Sequence, residues 1–144
     1  MRHAILITAA LLIGGGTALA QQPCSNHLLN DDYGVQISGT RPSLPGPLAP
    51  TEQVVGVAMG HFDGRGGYTQ VGSTHGSSSG VTSGTPATGS YVVNADCTGV
   101  VTFQNAGQPF AIQVAIVVVG QGEEVKGATT DPPGIMVTAV WRKK

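Results

Sequence analysis

From residue 33 onward, apolar positions alternate with small or polar ones in short runs broken by glycine and proline. This is the two-residue period of strands buried on one face. Tyr33–Ile37, Gln53–Phe62 and Tyr68–His75 follow it, the second and third joined by the glycine-rich reversal Asp63-Gly64-Arg65-Gly66-Gly67. Ser90–Asn94 and Val100–Gln104 form a hairpin around Ala95-Asp96-Cys97-Thr98-Gly99. Phe110–Val119 is almost continuously apolar and suits the best-buried strand, and Glu123–Thr129 and Ile135–Trp141 complete the set. Arg41–Thr51, with four prolines, reads as a loop because proline cannot join a sheet interior, and the Ser/Gly/Thr-rich stretch Gly76–Gly89 reads as the longest loop. No segment after residue 20 has a helical period.

Eight sequential antiparallel strands predict an all-β fold, an eight-stranded up-and-down barrel, with a two-sheet β-sandwich as the alternative. Closure removes edge strands, which favours the barrel in a chain with few charges to guard an edge. In such a meander the links 41–51, 76–89, 105–109 and 131–134 fall at one end. The links 63–67, 95–99 and 120–122 fall at the other, together with the chain start. The end with tight turns reads as a closed base and the end with the long loops as a mouth.

Composition narrows the function classes. Charged residues are only 10% of the 144-residue chain and the formal net charge is −1. Typical soluble domains carry about 25%. A nucleic-acid binder working through a basic surface is therefore excluded, and so is a disordered charged tail. Residues 1–20 read as an export signal: Arg2 and His3, an apolar run Ala4–Ile13, and Ala18-Leu19-Ala20 as a small-x-small site cleaved between Ala20 and Gln21. Residues 21–144 then form one domain, with no membrane anchor after cleavage, in the periplasm or secreted. In an oxidising compartment the two cysteines, Cys24 and Cys97, pair. The meander brings both to the base.

Two segments carry a resemblance: Phe62-Asp63-Gly64-x-Gly66 and Gly89-x-Tyr91-x-Val93-x-x-Asp96-Cys97-Thr98-Gly99. Together they resemble small exported bacterial proteins of unassigned function, whose architecture is similar to the calycin-like barrels of allene oxide cyclases and dirigent proteins. The resemblance spans roughly residues 24–142. It implies a barrel and, by analogy, a cavity that can steer a reactive intermediate. It rests on turn motifs, and no functional residue of those families matches a position here.

Candidate chemistry is sparse. In the register set by the 63–67 turn, Phe62 pairs with Tyr68, His61 with Thr69 and Val55 with His75. His61 and His75 then share a face but lie roughly 20 Å apart at about 3.3 Å per residue, too far for one metal ion. No metal site and no cofactor is expected. His75 falls at the mouth with Glu52 on the neighbouring strand and Arg41 and Asp131 on adjoining links. An imidazole beside a carboxylate can serve as a general acid or base; the plainer reading is four solvated rim residues. Gly76-Ser77-Ser78-Ser79-Gly80 matches the nucleophile-elbow pattern, but no histidine follows residue 75 to complete a triad.

Tyr68, Tyr91, Phe62, Phe103 and Trp141 are core packing or, on a sharper reading, the walls of a cavity that stacks a ligand. Gly56, Gly60 and Gly72 either leave room inside or mark bends. Arg41, His75, Asp131, Tyr68 and Tyr91 are the ligand-binding candidates. The leading function is binding of a small, mostly apolar molecule inside the barrel. The alternatives are a structural, envelope-associated domain with a filled barrel, and a cofactor-free isomerase or cyclase using His75 with Glu52. The sequence leaves the oligomeric state open.

Overall fold

A computed structural model describes residues 23–44 and 49–144. The export signal and its cleavage site lie outside the described residues. Eight strands, β1 (Asn30–Pro42), β2 (Thr51–Asp63), β3 (Gly67–Gly76), β4 (Gly80–Val93), β5 (Thr98–Asn105), β6 (Ile112–Val119), β7 (Glu124–Asp131) and β8 (Met136–Lys143), pair in chain order. The barrel closes by antiparallel pairing of β1 with β8. Short 3₁₀ turns, Asn26–Leu28 and Gly120–Gly122, are the helical elements among the described residues.

The β2–β3 register is the expected one: Phe62 opposes Tyr68, His61 opposes Thr69 and Val55 opposes His75. One expectation is overturned. Gly76–Gly89 is not a loop, because β4 begins at Gly80 and only Ser77–Ser79 turn the chain. Its outward residues are exposed Thr, Ser and Val, so the stretch lacks the apolar contrast of a strand. The ladder to β3 holds it in place, with a register shift between Gly72 and Thr74. The Phe110–Val119 run also differs from expectation. Val114, Ile116 and Val118 are buried, whereas Val117 and Val119 face outward and are exposed. A barrel wall has one inner face, so even a continuous apolar run buries only alternate residues.

The base half of the interior is solid. Phe62 is at its centre, with ring centroids 5.3 Å from Tyr33, 4.7 Å from Tyr68, 4.9 Å from Tyr91 and 6.5 Å from Trp141. Edge-on and tilted geometries of this kind suit the aromatic quadrupole. The segment before β1 plugs the bottom. Leu29 is fully buried, and its carbonyl accepts from the Tyr91 hydroxyl at 2.7 Å and from the Gly64 N–H at 2.8 Å. The Asn26 side chain accepts from Val93 N–H, and the Tyr33 hydroxyl donates to the Gly122 carbonyl at 2.6 Å. Cys24 and Cys97 are disulfide-bonded across this base, 73 residues apart in sequence, as the meander requires.

Base turns are fixed by local carboxylates. Asp63 Oδ1 accepts the N–H groups of Arg65, Gly66 and Gly67 at 2.8–2.9 Å, which holds its carboxyl below the usual range. Gly64 and Gly66 supply the positive φ angles, 74° and 117°, that this reversal needs.

Candidate functional site

Toward the other end the aromatic filling stops. A cavity of about 110 Å³ remains there. Phe103 and Trp141 border it with their rings, and Val35, Ile37, Val54, Ile112, Val114 and Val137 form its apolar walls. Arg41, Asn105, Gln108 and Ile135 line it as well, from strand ends and links at the mouth. All of the strand residues here are inward positions of the two-residue alternation, so the barrel itself places them.

The mouth carries a compact polar latch. Glu52, near the start of β2, points inward and is only 2% exposed. Its Oε1 accepts Arg41 Nε at 2.9 Å and the Ser79 hydroxyl at 2.7 Å; its Oε2 accepts the N–H groups of Ser78 and Ser79 at 3.0 and 2.8 Å. Arg41 Nη2 also donates to the Ser79 hydroxyl at 3.2 Å. The Ser79 hydroxyl and N–H, outweighing burial and aided by Arg41 and the Ser78 N–H, lower the Glu52 carboxyl to about 2. A Cβ at Gly76 would collide with both Glu52 oxygens and with the Ser79 hydroxyl, so a side chain there would have to displace the latch. The serine run that resembles a nucleophile elbow is thus the turn that seats a carboxylate.

The sequence candidates separate. Arg41 lines the cavity. His75 does not: it is outward-facing and exposed, between Val55 and Val81 on the neighbouring strands. Glu52 points inward and His75 outward from adjacent strands, so the pair proposed for acid–base work is not assembled. Asp131, paired with Gln113 at the end of β7, is likewise exposed. Tyr91 belongs to the base, its hydroxyl held by the Leu29 and Asn26 carbonyls, and burial pushes it up to about 12. Tyr68 lies beneath the cavity, where burial also raises its hydroxyl. His61 sits on the outer face, its Nδ1 2.9 Å from Asp32 Oδ1.

Gly56, Gly60 and Gly72 serve close packing. A Cβ at Gly60 would lie 2.9 Å from the Tyr68 hydroxyl, at Gly72 2.9 Å from Ala58 Cβ, and at Gly56 2.7 Å from the Ser73 carbonyl. No cluster of three or more His, Cys, Asp or Glu side chains able to hold a metal exists among the described residues.

Gln70 was missed by the sequence reading. It is 9% exposed and lines the cavity above Tyr68. The signal that finds it is parity: with Tyr68 inward, Gln70, Gly72 and Thr74 follow inward and His75 falls outside. Comparison with family models, curated proteins and solved structures found no match, so the functional reading rests on this geometry.

Proposed function

We propose that this chain is an exported β-barrel that binds a small, mostly apolar molecule in the mouth half of its interior. The observation that carries the reading is uneven filling: one barrel, one alternation, yet aromatic packing at the base and an apolar-walled cavity above it. Eight-stranded barrels are either filled by side chains or hold one small ligand, and this interior divides between the two. An apolar cavity near 150 Å³ accepts benzene, so about 110 Å³ suits a ligand no larger than benzene, of at most about six heavy atoms. The Cys24–Cys97 bridge fits a non-reducing compartment, in keeping with a periplasmic or secreted protein.

The isomerase reading loses the residue that carried it, since His75 faces outward. A structural, envelope-associated role draws on a different observation. Val55, Val57, Met59, Val71 and Val81 are exposed on the outer faces of β2, β3 and β4. Benzene titration followed by methyl NMR separates the two readings. Binding gives saturable shifts at Ile37, Ile112 and Val137 and leaves the outer valines unmoved. Unchanged inner methyls up to the solubility of benzene would overturn the binding reading.

A further inference from the structure

Three hydrogen-bonding groups stack up the centre of the barrel. Trp141 Nε1 lies 2.9 Å from the Tyr68 hydroxyl, which lies 2.7 Å from Gln70 Oε1. The directions follow from chemistry. An indole N–H only donates, so the Tyr68 oxygen accepts from Trp141. The Tyr68 proton then needs an acceptor, because this residue is 1% exposed. Gln70 supplies one only if its carbonyl oxygen, and not its NH₂, faces the tyrosine. The relay therefore fixes an amide whose two ends are otherwise hard to tell apart.

That orientation leaves Gln70 Nε2 on the other side. Gln70 lines the cavity at 9% exposure, and the side-chain hydrogen bond it makes among the described residues is the one accepted from Tyr68. Several other polar groups of the cavity are engaged, the Thr74 hydroxyl not among them. Asn105 Nδ2 donates to Gln108 Oε1, Thr129 donates to the Val137 carbonyl, and Arg41 is held by Glu52 and Ser79. Arg41 is the one charged lining residue, and its charge is matched by Glu52.

We infer that Gln70 is the polar anchor of the cavity, and that the ligand is an uncharged molecule with an apolar body and one hydrogen-bond acceptor, of the carbonyl or ether type, directed at Gln70 Nε2. The inference rests on the ligand-binding reading above and adds the ligand's polarity and orientation. An anion would meet no unpaired cation here. A hydrocarbon would leave the amide donor unsatisfied.

The test compares cyclopentanone with methylenecyclopentane, which replaces the oxygen by CH₂ at nearly the same shape. Each is titrated into the disulfide-bonded protein and followed by NMR of the inner methyls and the Gln70 side-chain NH₂. Cyclopentanone is expected to bind about tenfold more tightly, the worth of one neutral hydrogen bond, and to shift the Gln70 NH₂ signals. Gln70→Leu should abolish the preference while methylenecyclopentane still binds. Should that variant fail to fold, the NH₂ shifts in the unaltered protein decide the matter. Equal affinities with silent NH₂ signals would overturn the anchor and leave the apolar cavity standing. Binding of neither probe would overturn the ligand-binding reading itself.

Discussion

The two halves of the barrel share a wall and differ in what the wall carries. Toward the base, the inward positions are Tyr33, Phe62, Tyr68, Tyr91 and Trp141, all at most 2% exposed. Toward the mouth, the corresponding positions of the same strands are Ile37, Val54, Thr74 and Val137. Eight strands enclose a similar cross-section at either level, so the change from aromatic to short aliphatic side chains is a loss of filling volume. Stability is concentrated where the rings are; the space for chemistry lies where they are absent. The polar groups divide the same way. Base hydrogen bonds tie backbone to plug, whereas those at the mouth tie Arg41, Glu52 and the Ser78–Ser79 turn to one another.

The contrast breaks most sharply at Phe62. Phe62→Ala removes the ring that four aromatic neighbours touch and is expected to cost about 3–5 kcal/mol, measured by urea unfolding. Replacing Cys24 and Cys97 together by serine frees a loop spanning 73 residues in sequence. The expected loss is about 4 kcal/mol in the chain-entropy picture. Either loss would show the base to be the stabilising half; a loss below 1 kcal/mol for both would not.

At the mouth, effects are smaller and depend on pH. The folded Glu52 carboxyl is held at about 2 against an ordinary 4.5. Its contribution to stability is therefore complete above pH 4.5 and is lost as pH falls toward 2. Glu52→Gln should make the acid limb of a stability–pH curve shallower while leaving the base rings unchanged in near-ultraviolet circular dichroism. An unaltered limb would show that the latch contributes nothing. The smallest change is a filling one. Val137→Ile adds one methylene to the cavity wall and is expected to gain about 0.5–1 kcal/mol while weakening benzene binding. Destabilisation with unchanged binding would mean that the wall is already close-packed.

Much of this architecture was legible in the sequence. Glycine and aspartate in the 63–67 turn fix the β2–β3 register, and the register fixes which residues face each other. Two cysteines in an eight-strand meander fall at one end by counting alone. The start of β4 was not legible, because Gly80–Gly84 carries no apolar alternation and is held by its ladder to β3. The function of the latch was hidden for a related reason: Ser78 and Ser79 bind Glu52 partly through backbone N–H groups, which sequence does not display. The misplaced acid–base pair has another cause. His75 and Glu52 are neighbours in level but opposite in parity, and a two-residue period decides orientation as surely as position. Counting that period onward from Tyr68 puts Gln70 inside and His75 outside.

Trp141 is the single tryptophan of the chain, and it lies in β8, the strand whose pairing with β1 closes the barrel. The seam joins residues about a hundred positions apart, so it is among the least local contacts the chain makes and belongs to the slow part of folding. Hairpins formed earlier in the chain have no lid over their aromatic residues and no floor for a cavity until that strand arrives. Indole emission thus follows the docking of β8, which sets Trp141 between Val35 of β1 and Val125 of β7. Docking of that strand also completes the cavity, so refolding kinetics followed by fluorescence would time its formation.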